Sequence, residues 1–361
     1  MIFIVQFAIL DATVATEFDV PCWRIGPCCI NEGVLAMNNA FVIVDLDDFL
    51  TGEGRTRQIQ IVKQAIEKRC FVRVRGHGFT HEGIDYAYEV VRRVFALGVE
   101  VLNKYVVPGN QVGYIGFGKE KADGAIYPDR KEFWQVYQPD QAETQTAKFY
   151  NIWPTDEVPE FEGVALDLFY RLQRVTQAML RLTALAIGLP EEHFAEGTVG
   201  GSSIARIIHY PPVPDGAVGI RSEKHTDINH GTGLLTSQGG GLQLLDHSTG
   251  EWLPVEHDYD HIVFNWADMI QAATNGQVPS VMHRVVNPDD PELRSKPRFS
   301  IVFFLHPREE IVLEESSDIV KDNGPLTAHM FLWLRLWQIW LSDTRPAWYT
   351  GPDRAPQAIA V

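Results

Sequence analysis

Hydrophobic and polar positions change rhythm several times along this chain. Residues 41–49, FVIVDLDDF, read as a short strand, and after the turn GEGR residues 55–69 place Ile59, Ile61 or Val62, and Ile66 on one side of a helix. CFVRVRGHGF sets Phe71, Val72 and Val74 among charges and stops at glycines, which predicts a second strand; HEGIDYAYEVVRRVFAL is helical again. Residues 108–160 lose periodicity. Glycine, proline and aromatic residues crowd into PGNQVGYIGFG and IYPDRKEFWQVYQPD, which predicts loop or lid rather than core. Leu168, Leu172, Val175, Met179, Leu182 and Ala186 then recur at alternating spacings of four and three, so residues 163–188 form a helix with one apolar face for a sheet. From Ile204 to Pro307 short runs of Val, Ile and Phe are broken by Pro, Gly and Asp, the rhythm of a sandwich or barrel. A last helix, PLTAHMFLWLRLWQIW, reads as an aromatic flap over that barrel.

These rhythms divide the 361 residues into an extension (1–40), a mostly helical region packed on the core (41–200), the β core (201–310) and a C-terminal helix and tail (311–361). The formal charge of -16 repels phosphate backbones and anionic lipid, which argues against nucleic-acid and membrane partners. No apolar run reaches the roughly 18 residues of a spanning helix. The first ten residues are apolar, but no basic stretch precedes them, so they do not read as a signal peptide. Cys22, Cys28, Cys29 and Cys70 are too few and too bunched for a disulfide framework, and Cys28-Cys29 lacks the spacing of a zinc or dithiol site. The expected compartment is a reducing cytoplasm.

Chemistry concentrates in the β region. His225-Thr226-Asp227 offers an imidazole and a carboxylate two residues apart, which on a strand share a face. His283 stands in a second β-like run, SVMHRVV, and KPRFSIVFFLHP puts Arg298 and Ser300 on one face with Phe299, Ile301 and Phe303 on the other. Two histidines and one carboxylate are the ligand set of non-haem Fe(II) oxygenases, which leaves half an octahedron for a chelating co-substrate and dioxygen. A guanidinium fork suits the far carboxylate of such a co-substrate, with the Ser300 hydroxyl beside it.

RIIHYPP, HTD, GGLQLLD, GEWLPV, FNWADMIQAATNG, VMHRVV and RFSIVFFLHP follow one another over residues 204–307, and VDLDDF and FVRVRGHG precede them. In this order and spacing the chain resembles the isopenicillin N synthase-like family of Fe(II)- and 2-oxoglutarate-dependent dioxygenases, over roughly residues 41–340. The resemblance implies a mainly β fold with flanking α-helices, around a double-stranded β-helix (jelly roll) whose mouth holds Fe(II) on His225, Asp227 and His283. It also implies 2-oxoglutarate on Arg298 and Ser300, with Tyr210 as a further contact, and O2 as oxidant. The implied reaction is oxidation of a small metabolite in specialised metabolism, by hydroxylation, desaturation or ring closure, coupled to formation of succinate. Two positions depart from the family: Ile208 stands where an Asn is common, and Ala267 where a Gly is common. The alternatives are an oxidase or cyclase that uses no 2-oxoglutarate, and a non-catalytic relative that only binds a ligand. A monomer or weak dimer is expected.

For the substrate, His209, His230, Tyr114 and Phe133 are the candidate contacts, with Phe117, Tyr127 and Trp134 from the same irregular segment. His257 and His261 have helical metal spacing without a helical context, and His77 reads as a turn residue. Arg221 and Lys224 read as ordinary surface charge, the other reading being contact with an acidic substrate.

Overall fold

The computed structural model describes residues 41–108, 111–139, 150–235 and 239–354. The extension, with Cys22, Cys28 and Cys29, lies outside the described residues. Cys70 is buried and unpaired.

Two sheets face each other. The larger has eight strands in the order β1-β2-β10-β7-β12-β5-β4-β3, and the smaller has four in the order β6-β11-β8-β9. The strands are β1 (Val42–Asp45), β2 (Val72–Arg75), β3 (Gly113–Ile115), β4 (Glu132–Tyr137), β5 (Ile204–Tyr210), β6 (Ser222–His225), β7 (Gly231–Leu235), β8 (Leu242–Leu245), β9 (Trp252–Pro254), β10 (Ile262–Trp266), β11 (His283–Val285) and β12 (Arg298–Leu305). The run from β5 to β12 supplies both walls of the double-stranded β-helix, and a cavity lies between them.

The predicted helices occur at Arg55–Lys68, His81–Phe95, Phe161–Ala186 and Ala328–Gln338. In the Phe161–Ala186 helix the apolar stripe is buried, and it packs on β7 and β12 as its period requires. Gly233 allows that approach: a Cβ there would lie 2.7 Å from Cγ2 of Thr176. The Trp266 indole donates to Thr183 Oγ1 at 2.9 Å and pins the same helix to β10. The stretch at 41–49 is a strand for only its first half. Asp45 accepts from the backbone N–H groups of Asp47 and Asp48, caps the short helix Leu46–Thr51 and so ends β1.

The N-terminal region differs from expectation at residues 108–160. That segment carries β3 and β4, and β4 pairs with β5 along its whole length. Five of the six β4 residues are buried, the polar Gln135 among them, so the strand is covered on both faces and shows no in-and-out alternation. The first half of the chain therefore builds part of the main sheet: β1 and β2 extend one side and β4 and β3 the other. No helix of the described residues is long and apolar enough to cross a membrane.

Candidate active site

β6 and β11 run antiparallel with His225 opposite His283, and their rings stand 4.3 Å apart. Asp227 lies two residues beyond the end of β6, so strand alternation is not what aims it. Instead the Asn265 amide on β10 donates to Asp227 Oδ2 at 2.8 Å, while the Asp227 carbonyl accepts from Asp268 N–H at 2.9 Å. Asp268 opens the helix Asp268–Ala273, and Ala267 before it has φ -129°, so the Gly common in the family is not needed.

Each histidine uses its Nδ1–H on a carbonyl, His225 on Glu223 at 2.7 Å and His283 on Val281 at 3.1 Å. In the neutral ring Nε2 then carries a lone pair. Both Nε2 atoms face Asp227 Oδ1, at 3.8 Å and 3.7 Å, too far for hydrogen bonds. One donor atom from each of the three residues lies within 4.8 Å of the others. Burial, reinforced by His283, pushes His225 down to about 4. Burial works against the Asp227 carboxylate, but positive charge on the two imidazoles when they are protonated, with hydrogen bonds from Asn265 and Thr232, holds it below the usual carboxylate range. Two lone pairs and a buried anion aimed at one another repel unless a cation sits between them, so the donor set suits a divalent metal.

Along β12 the alternate residues Arg298, Ser300, Val302 and Phe304, and then His306, all line a cavity of about 280 Å3. Arg298 is buried; its Nε donates to the Gly240 carbonyl at 2.8 Å and Nη1 to Ser300 Oγ at 2.6 Å. Gly239, Gly240 and Gly241 all have positive φ, which lets the backbone wrap the side chain. The guanidinium lies over the Tyr210 ring at 4.8 Å, and no carboxylate of the described residues pairs with it. Opposite Ser300 in register stands Ile208.

A third group is a buried ion cluster on the cavity wall. Lys131 Nζ contacts Glu120 at 2.6 Å, Asp129 at 2.8 Å and Ser222 Oγ at 3.2 Å, while Arg206 Nη1 reaches the other Glu120 oxygen at 2.7 Å. Burial opposes ionisation of Glu120, yet Arg206 and Lys131 hold it down to about 2. Asp129 also accepts from Ser222 Oγ and Glu223 N–H, and so fixes the strand that carries His225. The C-terminal helix closes the cavity with Leu332, Arg335 and Leu336, and Ile339 follows just past its end.

Comparison with known proteins agrees with this geometry. Residues 42–156 match the family described as non-haem dioxygenase in morphine synthesis N-terminal, and residues 201–307 match the 2OG-Fe(II) oxygenase superfamily. A 2OG-Fe(II) oxygenase family protein from Caulobacter crescentus is 33% identical, with a TM-score of 0.69 over 81% of this chain and 97% of its own. This chain belongs to the 2OG-Fe(II) oxygenase family. A 2-oxoglutarate-Fe(II) type oxidoreductase from Aspergillus fumigatus is 29% identical over 287 residues, 76% of this chain and 83% of that protein. The fold is shared with a full-length Neurospora crassa protein solved in complex with α-ketoglutarate and thymine, at 21% identity and a TM-score of 0.69, over 82% of this chain and 96% of its own.

The four substrate candidates of this oxygenase fall outside the cavity lining. His209 points to the other face of β5, where Nδ1 contacts Glu132 Oε1 at 2.6 Å and the ring stacks on Phe299 at 4.8 Å. Tyr114 is buried and its hydroxyl donates to the same Glu132. His230 is buried against Phe194, with ring centres 6.0 Å apart. Phe133 shares the inner side but lies beneath Arg206, whose guanidinium covers it at 4.2 Å. Trp134 packs edge-on against Phe161, and Phe117 is exposed. His261 pairs with Asp258 at 2.7 Å, and His77 Nδ1 accepts from Phe79 N–H within its turn. Arg221 is almost wholly buried, which corrects its reading as surface charge.

Sequence reading missed Glu120, Asp129, Lys131 and His306. Only His306 carried a signal: counting by twos from Arg298 and Ser300 reaches it.

Proposed function

We propose that this 2OG-Fe(II) oxygenase oxidises a small organic metabolite at an iron held by His225, Asp227 and His283. In this reading Arg298, Ser300 and Tyr210 receive the far carboxylate of 2-oxoglutarate. The observation that carries it is the pair of lone-pair nitrogens turned on a buried carboxylate oxygen, at the wall of a cavity where no carboxylate of the described residues pairs with Arg298.

Bound Fe(II), with 2-oxoglutarate and O2, supplies the oxidising chemistry. The chain's part is to hold and orient. Carbonyls of Glu223 and Val281 keep both imidazoles in the ligating tautomer, and Asn265 leaves one Asp227 oxygen for the metal. Arg298 sets the depth of the co-substrate, and the tail residues Leu332, Leu336 and Ile339 exclude water above the substrate. Hydroxylation, desaturation and ring closure differ in where the substrate's C–H bond is held, which the wall around Arg206, His306 and Arg335 decides.

Asp227→Ala is expected to lose iron on desalting while retaining its fold by circular dichroism; normal iron content in that variant would place the metal elsewhere. Succinate release stimulated by a metabolite pool is the expected activity. Oxygen uptake without succinate would instead identify an oxidase that draws its electrons from the substrate alone.

A further inference from the structure

Arg221 immediately precedes β6 and is 1% exposed. Its Nη2 makes one long hydrogen bond, 3.4 Å to the Lys296 carbonyl, while Nε and Nη1 are buried without a partner. No carboxylate of the described residues pairs with it. The cavity behind it, about 390 Å3, brings Arg92 and Lys296 close rather than an acid, and Lys296 already pairs with Glu292. The sequence of residues 236–241, Thr-Ser-Gln-Gly-Gly-Gly, contains no acid either. Burial, with the like charge of Arg298, pushes Arg221 down to about 10, so it stays charged at neutral pH.

Its position is informative. The carbonyl it touches is two residues before Arg298, and Gly239, which lines the same cavity as Arg221, lies against the Arg298 side chain, where a Cβ on it would come 3.8 Å from Arg298 Cγ. A buried guanidinium without a counter-ion is strongly unfavourable in the ligand-free protein.

We propose that Arg221 is a positioning residue for the co-substrate: a second buried cation behind Arg298 that makes the pocket select a dicarboxylic keto acid over a monocarboxylic one. This rests on the reading that Arg298 receives the far carboxylate. At low effective dielectric a unit charge acts over several ångströms without contact, so Arg221 strengthens binding of that carboxylate while Arg298 makes the hydrogen bonds.

The test uses the Fe(II)-loaded protein under anaerobic conditions, with calorimetric titration of 2-oxoglutarate and of 2-oxopentanoate, which keeps the keto-acid end and lacks the far carboxylate. Arg221→Met is expected to weaken 2-oxoglutarate binding roughly tenfold. It should leave 2-oxopentanoate unchanged and raise the melting temperature of the ligand-free protein, because an uncompensated buried charge is gone. Arg221→Lys, which keeps the charge, should retain most of the affinity. Unchanged 2-oxoglutarate affinity in Arg221→Met, equal loss of both keto acids, or a lower ligand-free melting temperature would overturn the proposal. Wild-type protein that binds no 2-oxoglutarate would overturn the co-substrate reading itself, and this inference with it.

Discussion

At the scale of single residues, Arg298 does what lysine cannot. Its Nε is tied to Gly240 and one Nη to Ser300, so the remaining donors are held at a fixed angle toward the cavity. Arg298→Lys keeps a point charge and loses the fork. The 2-oxoglutarate dissociation constant, measured by titration with iron in place, is expected to rise roughly 10- to 100-fold, the worth of one or two charge-assisted hydrogen bonds. The convergence of His225, Asp227 and His283 is legible in the sequence because short motifs with fixed spacing carry it. The same alternation already argues against His209: if Tyr210 faces the co-substrate, its neighbour on β5 faces away. Glu120, Asp129 and Lys131 are not legible, because they meet one another through turns that have no period.

Among the elements, the helices could be read from their stripes, since each shows one face to the sheet. β4 could not. A strand buried on both sides, with Gln135 inside it, shows no alternation to read, and Trp134 and Phe133 look as suited to a lid as to a core. How closely the long helix sits on β7 depends on Gly233, where a methyl group would collide with Thr176 Cγ2. Gly233→Ala is therefore expected to cost about 1–3 kcal/mol by urea denaturation. Adding Thr176→Ala should recover part of that loss. A single variant as stable as the wild type would mean the helix shifts freely on the sheet.

For the whole molecule, buried neutral histidines set the response to acid. Burial pushes His306 down to about 4 and His230 to about 3, whereas in the unfolded chain both titrate near the ordinary histidine value. Between roughly pH 6.5 and 4 the unfolded state binds more protons, so stability is present above that window and is lost as pH falls, by about 1.4 kcal/mol per pH unit for each group. Urea midpoints at pH 7.5, 6 and 5 should fall accordingly, and less steeply in His306→Gln; a flat profile would mean that the two rings protonate in the folded protein. That the first half of the chain supplies four strands of the large sheet was not legible, because β1 and β2 are short and β4 shows no alternation.

Because β1 and β3 are the outermost strands of the large sheet, both of its rims come from the first half of the chain. A fragment that began at β5 would leave the long ladders of β5 and β10 unpaired on either side, two adhesive rims that seek strands from other molecules. The early segment thus acts as a pair of bookends that keep the catalytic half soluble, and the two halves are expected to be inherited together rather than shuffled.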